Sequence, residues 1–531
     1  MALSSRISNI ILPLGIFWFL MTLCAKPGKM LYILFPFIFF NAFQIVLLYL
    51  FGESVIAVDM FLNLATTNSG EACELLNNLA PALLTIFLIY IPALALGVIS
   101  IVNKNTLEKK FIHAQRRVSY VLMAVGLAGV GVSYTINPDF QIRTDIYPVN
   151  VCYNVILAVE RDNKTAHYKK TSNEFSFKAH YVRSTDKKEV YIFVVGETAR
   201  ACNLSIYGYG RNTTPHLSNE QNLYIFRDAL TQSNTTHKSV PMLMSGVSAE
   251  NYDSIYYQKG IFTAFKEAGF STAFFSNQRR NDSFIDFFGL EADNAVFIKD
   301  DYPIDANVSD KKLLPLVEKA IKNSAARKIF IVLHTYGSHF NYLERYGADN
   351  TIFTPDAITS VGSKNRSNLI NAYDNSIHFT DDFLYALISM INKENISSAI
   401  LYTSDHGEDI FDDRRNLFLH ASPIPSYYQL HVPYIVWVSD KYKESYPKEC
   451  NALNNNTNKP ISTNLVTFHT LLSLSGIDSR YLNREHSVAD SQYTISQRFY
   501  LNDHNLPKPV DKIGLKKEDI AQFKKLNLQY P

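Results

Sequence analysis

The chain has 531 residues, with 51 Lys and Arg against 49 Asp and Glu, so its formal net charge is +2. This length exceeds that of an ordinary single domain and predicts two domains. Such an even charge balance gives no electrostatic attraction to a polyanion, so no nucleic-acid partner is predicted.

Four long apolar runs lie in the first quarter of the chain, at residues 7–24, 30–51, 80–102 and 118–136. Each is nearly free of charge and about long enough to cross a hydrocarbon core of about 30 Å. Buried helices of a soluble bundle would show a polar stripe, which these runs lack. The sequence therefore predicts four membrane helices, and it contains no good signal-peptide cleavage site after the first run.

The loops between these runs differ in basic residues. Two lysines follow the first run and five basic residues precede the fourth, at Lys26, Lys29, Lys104, Lys109, Lys110, Arg116 and Arg117, whereas residues 52–79 contain none. Basic loops are expected on the cytoplasmic side. Both termini, residues 52–79 and everything after about residue 137 are therefore predicted to lie outside the cytoplasm. We expect a membrane domain at 1–137, a linker at 138–187 and an exported domain at 188–531.

The exported domain alternates short apolar runs with amphipathic stretches. The runs are Val190–Val195, Ser271–Phe275, Lys328–His334, Ser397–Thr403 and Val432–Val438; the stretches are Ile261–Ala268, Lys311–Ala325 and Ser367–Ile391. Continuous apolar strands separated by helices indicate an α/β domain whose mostly parallel sheet is covered on both faces.

Carboxylates and imidazoles follow three of these strands. Glu197 follows the first, His334 ends the third and His339 lies beyond it, and Asp405 and His406 follow the fourth. Sites in such sheets gather at the carboxyl ends of the strands, and buried carboxylates are costly unless paired or bound to metal. Mixed oxygen and imidazole ligands favour Zn²⁺ over Mn²⁺ or Mg²⁺. For Glu197 taken by itself, the alternative is a helix cap or a solvated loop. For Asp405 and His406, the alternative is a purely structural role.

Six short segments of the exported domain form an ordered set of motifs, namely Val195–Arg200, Tyr207–Tyr209, Arg211–Pro215, Gly337–His339, Ser404–Glu408 and Leu419–His420. In this order they resemble the motifs of the lipid A phosphoethanolamine transferases, a family that includes the mobile colistin-resistance enzymes. The resemblance covers essentially the whole chain. It implies an N-terminal α-helical transmembrane bundle followed by an alkaline-phosphatase or sulfatase-like α/β domain.

The resemblance places the nucleophile at Thr236, a few residues before Ser239-Val240-Pro241. A hydroxyl at a helix N-terminus faces free backbone N–H groups, which favour a phosphate. Bound metal would lower the pKa of that hydroxyl. Thr236 could instead serve only as the helix cap, as could Thr235.

The resemblance also implies a metal site and a substrate site. The implied ligands of one or two Zn²⁺ ions are Glu197, Thr236, Asp405 and His406. His339 and His420 are assigned to the phosphoethanolamine group or a second metal, and either could protonate a leaving oxygen; the alternative for each is a surface histidine. His334 is expected to lie in the core.

A further match lies between the second and third apolar runs. Asn63, Thr67 and Glu71 recur at i, i+4 and i+8, which places them on one helical face. The family has a similar triplet there for the lipid head group. An ordinary polar helix face is the alternative.

Two features depart from the family. Relatives have five membrane helices where we count four, and colistin-resistance relatives carry several disulfides. Here Gln232 and Met242 flank Thr236, so no bridge closes that loop, and of the five cysteines only Cys152, Cys202 and Cys450 fall after the membrane helices. At most one disulfide could form there. Because of these two departures, the resemblance does not identify the subfamily or the molecule that accepts the transferred group.

The implied protein is a multi-pass enzyme of the bacterial inner membrane with its catalytic domain in the periplasm. It would transfer phosphoethanolamine from phosphatidylethanolamine to lipid A or the lipopolysaccharide core through a threonine-bound intermediate, and polymyxin resistance is a possible consequence. The rivals are a glycerol-phosphate transferase or hydrolase of the same fold and a non-catalytic envelope scaffold. A sulfatase would need a Cys/Ser-x-Pro-x-Arg motif, which is absent around Thr236.

Overall fold

The computed structural model describes residues 3–51, 80–137, 140–304 and 306–530. The contacts within it divide the chain into two compact units. The first extends to Asn163 and the second runs from Lys164 onward.

The first unit is helical. Its described helices are Leu3–Met21, Pro27–Ile33, Phe35–Phe51, Ala80–Val102, Lys109–Ile136, Ile142–Asp145 and Val149–Ala166. Three segments are long and apolar enough to cross a membrane, namely Leu3–Met21, Leu83–Val102 and Lys109–Ile136. The protein is therefore a membrane protein by the length and composition of these helices.

The second predicted span is not one continuous helix in the structure, and its crossing of the membrane stays a prediction. Helices Pro27–Ile33 and Phe35–Val46 meet at an angle of 60°. Pro36 has no N–H to donate to the carbonyl of Tyr32, and a proline disfavours helical geometry in the residue before it. Among the described residues the count of spans is thus three, or four if this bent pair crosses as one.

Small residues lie between the first helix, Leu3–Met21, and the helix Lys109–Ile136. Ser8 Oγ donates to the carbonyl of Gly126 at 3.0 Å. A Cβ atom at Gly126 would lie 2.7 Å from Leu12 Cβ, so only glycine fits there. Small side chains let membrane helices approach closely and hydrogen-bond across the interface.

A seven-stranded sheet forms the centre of the second unit. Its strands are β1 (Glu189–Gly196), β2 (Leu223–Ile225), β3 (Ser271–Ser276), β4 (Asn294–Phe297), β5 (Lys328–His334), β6 (Ser397–Ser404) and β7 (Tyr434–Val438). Their order across the sheet is β2-β7-β6-β1-β5-β3-β4. Strand β7 runs antiparallel to both of its neighbours, and the other pairs are parallel. The mostly parallel sheet is confirmed.

Strand β1 shows why the central strands are continuously apolar. Tyr191, Phe193 and Val195 face one hydrophobic core, and the alternating residues Val190, Ile192 and Val194 face a second core on the other side of the sheet. Side chains of a strand alternate between faces, so a strand covered on both faces has no polar side. Helices Thr236–Leu243, Ile261–Glu267 and Thr463–Ser475 contribute to the first core, and helices Leu314–Asn323 and Arg366–Lys393 to the second.

Shorter elements complete the described part of the second unit. The helices are Tyr168–Thr171, Phe284–Gly289, Leu343–Tyr346, Tyr427–Leu430, Asp440–Ser445, Pro447–Asn456 and Lys517–Lys525. Strand pairs outside the main sheet are His180–Tyr181 with Ile477–Asp478, Ala229–Leu230 with Ile461–Ser462, Asp409–Ile410 with Phe418–Leu419, and Phe499–Leu501 with Pro507–Pro509.

The cysteines that the structure describes are all free thiols. They are Cys24, Cys152, Cys202 and Cys450. The single disulfide that the composition allowed among the last three is therefore not formed.

Candidate active site

Three neighbouring strands of the sheet have their carboxyl ends side by side, and predicted site residues follow each of them. Strand β1 lies between β5 and β6, with Val195 opposite His334 and Gly196 opposite Ser404. The three strands run parallel, so the residues that follow them emerge side by side. This register places Glu197 next to Asp405.

Glu197, Asp405 and His406 form a buried cluster. One potential ligand atom from each lies within 4.8 Å of the others. Nε2 of His406 is 3.2 Å from Asp405 Oδ2 and 3.7 Å from Glu197 Oε1. Two carboxylates and one imidazole at these separations could hold a metal ion.

The hydrogen bonds of the cluster leave suitable atoms for a metal. Asp405 Oδ1 accepts the backbone N–H groups of Thr198 and His406, but Oδ2 is buried and has no hydrogen-bond partner. Nδ1 of His406 is 2.9 Å from the carbonyl oxygen of Gly407, which can only accept, so Nδ1 carries the proton. His406 Nε2 then keeps a lone pair, and the donor set fits Zn²⁺.

The electrostatics of the cluster also favour a cation. Burial, and secondly the neighbouring carboxylate of Asp405, raises the pKa of Glu197 well above its usual range. Burial likewise raises the pKa of Asp405 and lowers the pKa of His406 well below its usual value. Two buried carboxylates repel each other when both are ionised, and a bound cation removes that cost.

Thr236 is the first residue of the helix Thr236–Leu243, and Thr235 occupies the cap position. The Thr236 hydroxyl donates to Glu197 Oε1 at 3.1 Å and lies 3.1 Å from His406 Nε2. Unlike the cluster beneath it, Thr236 is partly exposed. Of these four residues, Thr236 is therefore the one that solvent reaches.

Two of the three remaining predicted histidines lie beside the cluster. The ring centroid of His420 is 4.2 Å from that of His406 and 6.1 Å from that of His339. His339 Nδ1 is 2.5 Å from the carbonyl oxygen of Phe340, and burial lowers the pKa of His339 to about 3. His334 is 1% exposed and packs in the core, as expected.

Two residues near the cluster had no predicted role. Gln278 Nε2 donates to Glu197 Oε2 at 3.1 Å. Gln278 follows β3, a strand after which no site residue was predicted. Glu408 is buried and accepts a hydrogen bond from Tyr342, and its Oε2 lies 3.7 Å from His420 Nδ1. Glu408 ends the Ser404–Glu408 motif, so that motif could have identified it as a site residue from the sequence.

The loop after β5 crosses the backbone of Glu197 at Gly337. Gly337 has φ of +50°, and a Cβ atom there would lie 2.6 Å from the carbonyl oxygen of Glu197. The next residue, Ser338, donates its backbone N–H to the same oxygen at 2.9 Å. A glycine is therefore needed for this loop to hold Glu197. Asn63, Thr67 and Glu71 lie outside the described residues.

Part of the chain is similar in sequence to curated proteins. A Kdo(2)-lipid A phosphoethanolamine 7''-transferase of Salmonella typhimurium is 30% identical over 279 residues, which are 50% of this chain and 47% of that protein. The chain spans about half the length of the curated relatives that it matches.

Solved structures show the same fold. The integral membrane protein lipooligosaccharide phosphoethanolamine transferase A (EptA) from Neisseria meningitidis superposes with a TM-score of 0.67 at 23% identity, covering 83% of each chain. The periplasmic domain of EptC from Escherichia coli, solved in complex with Zn, gives 0.58 at 22% identity, covering 64% of this chain and 97% of that domain.

A family model also covers the domain that carries the cluster. The model described as Sulfatase matches residues 189–477, from the first residue of β1 to beyond the helix Thr463–Ser475. This match covers more than half of the chain and includes Glu197, Thr236, Asp405 and His406. The chain belongs to the sulfatase family.

Proposed function

We propose that the protein is a metal-dependent transferase that moves phosphoethanolamine from phosphatidylethanolamine to lipid A or the lipopolysaccharide core. The observation that carries this proposal is the position of the Thr236 hydroxyl, partly exposed at a helix N-terminus and 3.1 Å from both Glu197 and His406. The names of relatives such as the Salmonella typhimurium enzyme support both the transferred group and the acceptor.

The metal ion would be held by Glu197, Asp405 and His406, with Thr236 as a fourth ligand. When bound, Zn²⁺ lowers the pKa of a contacting hydroxyl and offsets negative charge on phosphoryl oxygens. Mn²⁺ and Mg²⁺ suit the imidazole ligand less well. His339 and His420 contact the phosphoethanolamine group or hold a second ion.

The first step forms a covalent intermediate. The Thr236 oxygen attacks phosphorus, and its proton passes to Glu197, which already accepts the hydrogen bond of that hydroxyl. The bond from phosphorus to the glyceride oxygen breaks, and that oxygen takes a proton from His339 or His420 and leaves in diacylglycerol.

The second step regenerates the enzyme. A phosphate or hydroxyl oxygen of the acceptor attacks the phosphorus, and the bond to Thr236 breaks. The Thr236 oxygen takes back the proton held by Glu197. The histidine that protonated the glyceride oxygen regains its proton from the acceptor hydroxyl or, when the acceptor is a phosphate, from water. The membrane helices keep the enzyme at the bilayer that contains the donor, which raises its effective concentration. This reaction requires the catalytic domain on the periplasmic side of the inner membrane, and residues 52–79 with Asn63, Thr67 and Glu71 are proposed to contact the lipid head group.

The test is mass spectrometry of the intact intermediate. Full-length protein is incubated with fluorescent phosphatidylethanolamine and no acceptor, and we expect phosphoethanolamine on the tryptic peptide that contains Thr236. Thr236→Ala should lose the adduct and turnover, Thr236→Ser should keep some of both because the oxygen remains, and the control Thr235→Ala should keep both.

An adduct on Thr235 would show that the nucleophile is misplaced, and transfer by Thr236→Ala without any adduct would refute the covalent mechanism. A glycerol-phosphate adduct, formed with phosphatidylglycerol alone, would instead identify the related transferase of this fold. Lipid A and core from cells with and without the gene should differ by one phosphoethanolamine mass, and that comparison identifies the acceptor.

A further inference from the structure

No disulfide closes the loop around Thr236, but a buried side chain hydrogen-bonds to both ends of that loop. A short parallel strand pair, Ala229–Leu230 with Ile461–Ser462, brings two distant parts of the chain together. Just beyond that pair, Asn464 contacts Gln232 and Ser239, the two ends of residues 232–239, which are called the Thr236 segment below. Asn464 is 1% exposed.

Asn464 uses both ends of its amide. Its Oδ1 accepts the backbone N–H of Gln232 at 2.6 Å. Its Nδ2 donates to the carbonyl oxygen of Ser239 at 3.0 Å and to Ser239 Oγ at 2.9 Å. A backbone N–H can only donate and a carbonyl can only accept, so these partners fix the orientation of the amide. Asn464 therefore closes the loop between Gln232 and Ser239, with Thr236 inside it.

The same network reaches the predicted metal ligands. Ser239 Oγ donates to the carbonyl oxygen of Asp405 at 2.6 Å, and Thr231 Oγ1 donates to that oxygen at 2.7 Å. A continuous path thus runs from the Asn464 amide through the Ser239 hydroxyl to the backbone of Asp405. All four residues are almost fully buried, and hydrogen bonds in such a chain reinforce one another.

We propose that Asn464 is a positioning residue that holds the Thr236 nucleophile and the Asp405 ligand in one fixed relation. It touches neither substrate nor metal and acts through Gln232 and Ser239. This inference rests on the proposed function for its kinetic consequence, and its effect on metal binding can be measured separately. Outer partners of metal ligands change affinity by roughly 10–100-fold when removed.

The experiment compares Asn464 with a matched buried asparagine. Asn456 is 2% exposed, and its Nδ2 donates to the carbonyl oxygens of Val488 and Asp490, outside the Thr236 segment. Asn464→Leu and Asn456→Leu both remove buried hydrogen bonds at similar volume. Asn464→Asp keeps the acceptor for Gln232 and loses the donors to Ser239. This milder variant replaces Asn464→Leu in the comparison if Asn464→Leu does not fold.

Three quantities are measured on the full chain in detergent: melting temperature, Zn²⁺ affinity by competition with a chromophoric chelator, and kcat and KM for fluorescent phosphatidylethanolamine. All the asparagine variants should melt at lower temperature. Only the Asn464 variants should bind Zn²⁺ about 10-fold or more weakly and lose kcat by a similar factor, with KM nearly unchanged. Equal losses of Zn²⁺ affinity and kcat in Asn456→Leu would overturn the proposal, because the effect would then be one of stability alone.

A double variant tests the path through Ser239. If Asn464 acts through that hydroxyl, Asn464→Asp combined with Ser239→Ala should lose no more kcat than the worse single variant. Losses that multiply would show two independent effects and overturn the path. A wild-type protein that binds Zn²⁺ but does not turn over phosphatidylethanolamine would sink the proposed function, while the Zn²⁺ affinities would still decide the role of Asn464.

Discussion

At Asp405 the two carboxylate oxygens have different partners, and this asymmetry gives a residue-scale prediction. Oδ1 is held by two backbone N–H groups, and Oδ2 is buried without a hydrogen-bond partner. Asp405→Asn keeps the shape but removes the charge that a cation needs. Loss of a ligand should weaken Zn²⁺ binding by more than the roughly 10–100-fold that outer partners cost, and transfer should be abolished.

The matched control is Asp381→Asn, because Asp381 is also a buried aspartate that accepts backbone N–H groups, those of His216 and Leu217. This variant should lose stability and retain Zn²⁺, as measured by metal analysis after dialysis. Full transfer by extensively chelated, metal-free protein would contradict a metal role for the cluster.

At the scale of single elements, the loop after β5 depends on Gly337. Gly337→Ala places a Cβ atom 2.6 Å from the carbonyl oxygen of Glu197 and also strains a φ of +50°. A left-handed backbone conformation costs a non-glycine residue about 1–2 kcal/mol, and relief of the clash must move Glu197. We expect a lower melting temperature together with a loss of transfer of at least tenfold.

Gly269→Ala is the control that separates the effect of backbone strain from the effect of moving Glu197. Gly269 has φ of +83°, but nothing lies within 4 Å of a Cβ atom added there. It precedes the amino end of β3, whereas the cluster lies at the carboxyl ends of the parallel strands. Its alanine variant should melt lower by a comparable amount and keep its activity. Equal activity losses in the two variants would mean that Gly337 matters only for stability.

At the scale of the whole molecule, the distribution of basic residues predicts the orientation in the membrane. Reporters fused after residue 110 should be active on the cytoplasmic side, and reporters fused after residue 60 or 160 on the periplasmic side. Paired alkaline phosphatase and green fluorescent protein fusions measure this. A cytoplasmic signal after residue 160 would rule out transfer to lipid A, because that reaction takes place on the outer face.

The sequence by itself determined three of the four predicted membrane helices, the central strands and most of the candidate site. These follow from local patterns: apolar runs long enough for a bilayer, strands apolar on both faces, and polar residues where the strands end. Glu197, Asp405 and His406 were identifiable because each follows a strand directly. His334 was assigned to the core, and the structure confirms it.

Only the tertiary structure decided which distant residues meet. The order of strands across the sheet brings Gln278 from the end of β3 to Glu197. The short pair formed by Ala229–Leu230 and Ile461–Ser462 sets Asn464 against Ser239, 225 positions earlier in the chain. Local periodicity carries no record of such neighbours, because hydrogen bonds between buried side chains depend on how separate elements pack and not on spacing along the chain.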